Sequence, residues 1–195
     1  ARDRYAEQTT AQEADWAIQN ARVVEQCCRM NASNNGYFAR DESMAANVKW
    51  ILDHSPPETK IVLWAHNGHV NRMARCMGSH LAKMYGKEMV VLGFATASGE
   101  YTALGNGSLG THPLAVPPVD SLEWYLHATG APRLIVDVRN PPEHDAAGSW
   151  LGDTVLLRSI GAMAMEEQFQ EVPVSAFYDA IIYVDKTTAA RQLKK

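Results

Sequence analysis

The sequence predicts an α/β fold, layered α/β/α, with a mostly parallel central sheet of about four to five strands. Short apolar runs at 61–65, 89–94 and 134–138 end in turn-forming or polar residues, which is typical of strands. Segments with apolar residues at helical intervals lie between these runs. Strands that alternate with helices favour a parallel sheet, and unbroken apolar runs indicate burial on both faces.

The central strand of this prediction lies in the stretch 60–69, KIVLWAHNGH. Five apolar residues follow a Pro-Pro turn and a lysine, and the run ends abruptly in polar residues. Ligands of α/β sheets bind just beyond the carboxyl ends of the strands. We therefore expect His66, Asn67 and His69 at such a site. Gly68 allows the backbone to turn sharply or to approach a ligand closely.

The other predicted elements follow in chain order around this strand. We expect a leading helix at 1–30, an α/β core at 39–184 and a polar tail at 185–195. Within the core, the patterns predict helices from about 40 to the prolines at 56–57, at 71–85 and at 119–129, strands at 89–94, 134–138, 154–160 and 180–184, and loops at 95–118 and 140–148. The loop at 95–118 is rich in Gly, Ser, Thr and Pro, and loops of that length are usually functional or mobile.

The composition argues against several classes of protein. Apolar residues make up 46% of the 195 residues and charged residues 21%, as in ordinary soluble domains. A net charge of −4 without a Lys/Arg cluster argues against a nucleic-acid partner. No apolar run approaches the ~20 residues that span a bilayer, so we expect no membrane partner. The chain begins without Met or a signal-peptide core, so we expect a processed or partial chain.

The cysteines indicate a compartment. Cys27, Cys28 and Cys76 are an odd and sparse set, which does not describe a disulfide framework. We expect buried thiols in a reducing environment, and hence a cytoplasmic protein.

The two histidines at the end of the predicted strand are the first candidates for catalysis. Imidazole titrates near neutrality, so His66 or His69 can take a proton from water and return it. Neutral imidazole also binds zinc, but H-x-x-H without the helix and glutamate of H-E-x-x-H is a weak metal motif. The alternative is a structural histidine, packed and hydrogen-bonded at the sheet end. The spacing alone does not decide between these interpretations.

Supporting residues are expected on the helix before this strand and in the long loop after it. Arg40 can bind a carboxylate or orient an acid, although Arg40 and Asp41 also suit a surface ion pair and a helix cap. Asn47 lies on the apolar stripe, either as a satisfied structural amide or reaching the histidine loop. Glu100 and Tyr101 lie in the loop at 95–118, where substrate contacts often occur. His144 and Asp145 fall in the loop at 140–148 and are expected to face solvent.

Several stretches resemble one known family in sequence and in order. They are RDESMAAN at 40–47, WAHNGHV at 64–70, MGSHL at 77–81, LGF at 92–94, GEYTA at 99–103 and FYDAIIYV at 177–184. Together they resemble the erythromycin esterase family across nearly the whole chain. The histidine block and the R-D-x-x-M-A-x-N helix before it are the specific part of the match.

The resemblance implies hydrolysis of a small-molecule ester or lactone. Family members with assigned activity open a macrolide lactone by adding water, with histidine as general base, assisted by glutamate and arginine, and without a covalent serine intermediate. The two histidines of the family's block fall here on His66 and His69. The resemblance implies no cofactor, and a divalent metal held by these histidines is the alternative.

The chain departs from the family in one respect. The family's principal base histidine and its glutamates lie in an N-terminal half, in a G-E-x-x-H-G type motif that this chain lacks. Residues 1–195 therefore resemble the C-terminal half of a larger fold, and we expect the N-terminal half as a partner. Three alternatives follow: part of an esterase, a catalytically incomplete binding or pseudo-enzyme module, or a metal-dependent hydrolase.

Overall fold

A computed structural model describes residues 2–142 and 149–191. The helices are α1 (Arg2–Gln8), α2 (Ala11–Ala32), α3 (Gly36–Asp53), α4 (Asn67–Val70), α5 (Met77–Tyr85), α6 (Leu122–Ala128) and α7 (Val174–Phe177). The strands are β1 (Leu92–Gly105), β2 (Ser108–Pro113), β3 (Arg133–Asp137), β4 (Thr154–Arg158), β5 (Phe169–Pro173) and β6 (Ala180–Thr187). His144 and Asp145 lie outside the described residues. No helix in the described ranges has the length and apolarity to cross a membrane.

The α/β class is confirmed, but the expected parallel sheet is wrong. The central sheet has four strands in the order β2-β1-β6-β3, and β4 pairs with β5 in a separate two-stranded sheet. Only β1 and β6 run parallel, whereas β1–β2 and β3–β6 are antiparallel. The cause in one case is a tight turn: Asn106 and Gly107 both have positive φ, which is the geometry of a two-residue hairpin. A hairpin this short can only join antiparallel strands.

The predicted loop at 95–118 is mostly strand. β1 continues to Gly105 and β2 extends to Pro113, so the hairpin takes up most of this stretch. Its composition is typical of a loop because most of the inward residues are small: Ala95, Ala97 and Ala103 are buried, and Tyr101 is the large exception. Alternation of small residues carries little hydrophobic signal, although it satisfies the period of two of a half-buried strand.

The predicted central strand at 61–65 is also wrong for this chain. The backbone there contains no helix, turn or bend, its side chains alternate between inward and outward at 61–64 as in an extended chain, and it pairs with no strand among the described residues. Ile61 and Leu63 pack inward against the cluster between α3 and α5. Val62 and Trp64 point outward and are 91% and 86% exposed. The apolar run therefore has one buried face rather than the two that its composition predicts.

Three helices begin or end at residues other than those predicted. The leading helix is broken near Thr10, whose hydroxyl accepts a hydrogen bond from the Glu13 amide at 3.1 Å and caps α2. α3 begins at Gly36, before the expected start near Arg40. The predicted helix at 71–85 is reduced to α5, and Arg75 has a positive φ just before it. Strand β5 and helix α7 were not predicted.

The cysteines only partly match the prediction. Cys76 is buried, whereas Cys27 and Cys28 are exposed on α2. α2 contacts α1 and α3, and the expected burial of all three thiols is wrong because α2 leaves much of its surface to solvent.

Helix α6 brings a carboxyl group into the main core. Glu123 lies in the first turn of α6 and its side chain is fully buried. Its Oε1 accepts a hydrogen bond from the Arg158 amide at 3.0 Å. Its Oε2 has no hydrogen-bond partner among the described residues. Burial therefore raises the pKa of Glu123 to about 7.

This burial predicts a pH-dependent loss of stability. The folded pKa lies above the unfolded one, so the penalty is absent below about pH 4.5, grows as the pH rises to 7, and reaches about 3 kcal/mol above that. We expect Glu123→Gln to remove this dependence, measured by urea unfolding at pH 5, 6, 7 and 8. Glu25→Gln, an exposed change on α2, is the control. Parallel pH profiles for Glu123→Gln and the wild type would contradict the prediction.

Candidate active site

The histidine loop, residues 66–70, follows the extended segment and consists of His66 and the one-turn helix α4, at the edge of two apolar clusters. Val70 packs against both the main core and the cluster between α3 and α5. His66 and His69 lie one helical turn apart on this loop, yet they face different partners. Their surroundings give the two rings different roles.

His66 caps α4. Its Nδ1 accepts a hydrogen bond from the Gly68 amide at 3.0 Å. The proton of the neutral ring therefore lies on Nε2, which donates to the carbonyl of Ile160. Both ring nitrogens are engaged, and His66 connects the histidine loop to the segment after β4.

We expect His66 to contribute mainly to stability. Asparagine is a favourable N-cap, so His66→Asn keeps the cap of α4, whereas His66→Ala loses it at a cost of about 1 kcal/mol. Chemical denaturation of both variants measures the difference. Equal stabilities for the two variants would contradict a capping role.

His69 points toward α3. Its Nδ1 lies 2.8 Å from Asp41 Oδ1, and its Nε2 lies 3.1 Å from Arg40 Nη1. A carboxylate only accepts hydrogen bonds and a guanidinium only donates them. The proton of His69 therefore lies on Nδ1, and Nε2 presents a lone pair. The side chain is 16% exposed, so the ring is not sealed from solvent.

Asp41 is the buried member of this group. Its side chain has no exposed surface, and its Oδ2 accepts a hydrogen bond from the Met77 amide at 2.9 Å. Met77 is the first residue of α5, where unpaired amides and the helix dipole favour a negative charge. The carboxylate is therefore satisfied on both oxygens and holds the His69 ring in a fixed orientation.

Tyr37 completes the surroundings of His69, and the sequence reasoning missed it. Its ring stacks on the imidazole with centroids 5.2 Å apart, and its hydroxyl donates to the Gly68 carbonyl at 3.3 Å. Burial is the main cause that raises the pKa of Tyr37. Its position four residues before Asp41 is the available signal, because residues four apart share a helix face once α3 is known to begin at Gly36.

Asn67 fixes the histidine loop to the central sheet. Its Nδ2 donates to the Phe94 carbonyl at 2.7 Å, and its Oδ1 accepts from the Phe94 amide at 2.9 Å. The side chain therefore pairs with β1 as a neighbouring strand would. This explains how the loop is held even though the segment before it has no strand partner among the described residues.

The structure places three other predicted residues away from His69. Asn47 faces α2, where its amide accepts from Gln19 at 2.8 Å and donates to a second glutamine at 3.0 Å. The side chain of Asn47 therefore bonds to α2 rather than to the histidine loop. Glu100 and Tyr101 lie six and seven residues beyond Phe94 on β1, about 20 Å or more along the strand.

The described residues contain no group of three or more His, Cys, Asp or Glu side chains placed to hold a metal ion. The divalent metal considered from the sequence stays a prediction. What the arrangement offers is an oriented imidazole with a lone pair beside a guanidinium, which suits proton transfer next to a developing negative charge.

Comparison with known proteins places this chain in a family. The chain is 25% identical over 176 residues to YbfO from Bacillus subtilis (strain 168), a provisionally named hydrolase, covering 84% of this chain and 38% of YbfO. A solved protein from Bacillus cereus is 24% identical with a TM-score of 0.78, covering 90% of this chain and 46% of its own. A solved succinoglycan biosynthesis protein is 20% identical with a TM-score of 0.78, covering 96% and 48%.

A more distant neighbour carries an assigned name. The open conformation of a histidine-to-asparagine mutant of the erythromycin esterase EreC has a TM-score of 0.57 at 18% identity, and the match covers 90% of this chain and 44% of EreC. The chain thus spans less than half the length of these relatives. The sequence model of the erythromycin esterase family matches residues 1–187, so the chain belongs to that family.

Proposed function

We propose that this chain supplies half of the active site of a hydrolase that adds water to an ester or lactone. His69 is the imidazole that this half contributes to proton transfer. The observation that carries the proposal is the pairing of His69 Nδ1 with the fully buried Asp41 at 2.8 Å, which leaves the Nε2 lone pair to accept a proton. Membership of the family supports hydrolysis as the reaction class.

The chemistry follows from this geometry. His69 Nε2 takes a proton from water as the water oxygen bonds to the ester carbonyl carbon, and the carbonyl electron pair moves onto its oxygen. Collapse of this intermediate breaks the bond to the alkoxy oxygen, and the proton on His69 passes to that leaving group. Asp41 stabilises the imidazolium between these steps.

Arg40 contributes an exposed positive charge. Its side chain is exposed and its Nη1 donates to His69 Nε2 at 3.1 Å, so the lone pair is occupied until the guanidinium moves aside. A guanidinium beside the ring is placed to donate to the oxyanion that forms at the carbonyl. When substrate binds, the Arg40 guanidinium therefore leaves His69 Nε2 and donates to the carbonyl oxygen of the substrate instead.

The proposal includes a second half of the fold. The resemblance places the glutamates and the family's principal base histidine in that half, and this chain spans less than half of its relatives. The proposal departs from the resemblance on one point, because it assigns proton transfer from water to His69 on the geometry described above. We expect the 195-residue chain alone to show no substantial turnover. Turnover by the isolated chain that disappears in His69→Ala would contradict this part of the proposal.

The reaction class is tested on the product of the complete reading frame. We expect hydrolysis of members of a panel of esters and lactones, macrolide lactones included, and none of matched amides. Activity that survives exhaustive chelation supports general-base attack, whereas activity restored only by a divalent metal indicates the metal-dependent alternative. Failure to hydrolyse any ester or lactone would favour a binding module.

A further inference from the structure

We infer that the extended segment 61–65, here called the open strand, pairs with a β-strand from the half of the fold that this chain does not span. The inference rests on the proposed function, which requires that half. It identifies the surface where the two halves meet. The occupant is a strand of the same polypeptide, supplied by the product of the complete reading frame.

The first observation concerns the backbone. The peptide groups of the open strand are extended and form no hydrogen bond with any group in residues 2–142 or 149–191. An extended segment with a free row of amides and carbonyls is a template for strand addition, and natural proteins normally protect such edges. Asn67, directly after the open strand, already mimics strand pairing with β1 through its amide.

The second observation concerns the side chains. Ile61 and Leu63 are covered by this chain's own cluster, whereas Val62 and Trp64 are 91% and 86% exposed. The Trp64 ring meets the exposed Phe94 ring of β1 edge-on at 5.4 Å. The exposed apolar surface of Trp64 therefore continues onto β1 through Phe94, and Val62 faces outward on the same side of the open strand. Such apolar patches on a soluble surface mark interaction sites.

The third observation comes from the sequence. Five unbroken apolar residues are typical of a strand buried on both faces, yet this chain covers only one face. The composition of the open strand therefore matches a sheet with more strands than this chain supplies. The pattern is explained once a further layer covers Val62 and Trp64.

The relatives indicate which occupant is favoured. Two solved structures share this half's fold with TM-scores of 0.78, and their chains are about twice as long as the part that matches. The open strand leads directly into the histidine loop, so a strand added there brings the rest of the fold beside His69. A second copy of this chain would bring another histidine loop rather than the further half that the longer chains contain.

Hydrogen–deuterium exchange tests the inference. The amides at 62–65 are measured in the 195-residue chain alone and in the product of the complete reading frame. We expect exchange at least about 100-fold slower in the longer protein, since strand pairing protects amides. Equal rates would overturn the inference, as would a reading frame that encodes no further half. Protection of the short chain that rises with its concentration would indicate a second copy and overturn it as well.

Two lysine substitutions in the longer protein sharpen the test. Trp64→Lys places a charge on the proposed interface and is expected to raise exchange at 62–65. Val116→Lys is the matched control, because Val116 is 87% exposed and lies away from the open strand in sequence. Exchange at 62–65 that is unaffected by Trp64→Lys would count against the interface.

The outcome is separable from the proposed function. His69→Ala is expected to lower hydrolysis by about 10²–10⁴-fold and to leave protection at 62–65 unchanged, because the ring faces α3 rather than the open strand. Protection without any hydrolysis would leave the interface standing and remove the proposed reaction. Hydrolysis without slower exchange at 62–65 would support the proposed reaction and overturn the interface.

Discussion

Replacing His69 by alanine in the complete protein lowers kcat/KM for the ester or lactone substrate by about 10²–10⁴-fold, the usual contribution of a positioned general base. The variant removes the Nε2 lone pair and leaves Asp41 in place with its second oxygen on the Met77 amide. Steady-state kinetics at saturating and limiting substrate concentrations measure the effect on kcat and on kcat/KM separately.

The chain offers a matched control for this change. His127 on α6 is held by Asp185 through Nδ1 at 2.6 Å, so it forms a histidine–aspartate pair of similar geometry. It lies outside the histidine loop and its side chain is largely exposed. We expect His127→Ala to retain wild-type kinetics. Equal losses in the two variants, or full activity in His69→Ala, would remove His69 from the mechanism.

The substitution Asp41→Asn is expected to lower kcat by about 10²–10⁴-fold although the side chain keeps its size. The fixed Met77 amide is a donor, so the single carbonyl oxygen of asparagine turns toward it. The amide NH₂ then faces His69 Nδ1, which becomes an acceptor, and the ring proton moves to Nε2. A protonated Nε2 faces the Arg40 donor and has no lone pair for water.

The tautomer shift distinguishes positioning from simple loss of structure. In ¹⁵N spectra of the histidine rings, the wild type should show His69 protonated at Nδ1 and the variant should show it protonated at Nε2. Asp53→Asn, an exposed change on the same helix, is the control for charge and helix stability. An unchanged tautomer together with a loss of activity would show that Asp41 acts by stabilising the fold.

The tertiary structure separated two histidines that the sequence could not distinguish. H-x-x-H spacing is the same whether one ring, both rings or neither takes part in chemistry. His66 is engaged by groups that include a carbonyl 94 residues away, and His69 by a carboxylate 28 residues away. Contacts of this range depend on how α3, α4 and α5 pack, and no local pattern reports that packing.

The sheet shows the same limit. The patterns located β3, β4 and β6 closely because their apolar runs are short and bounded by turn residues. They missed most of β1 because most of its inward residues beyond Phe94 are alanines, with Tyr101 as the large exception. They missed the pairing direction because a side-chain period of two is the same in parallel and antiparallel sheets.

The sequence by itself determined the family resemblance, the α/β class and the stretch that carries the histidines. These properties depend on residue types and on local periodicity, which can be read from the sequence without knowing how the chain folds. Only the tertiary structure decided that His69 has an oriented lone pair, that His66 is a cap, and that the open strand has one uncovered face. Those properties depend on contacts between residues that are far apart in the chain, and local sequence patterns do not encode which of those contacts form.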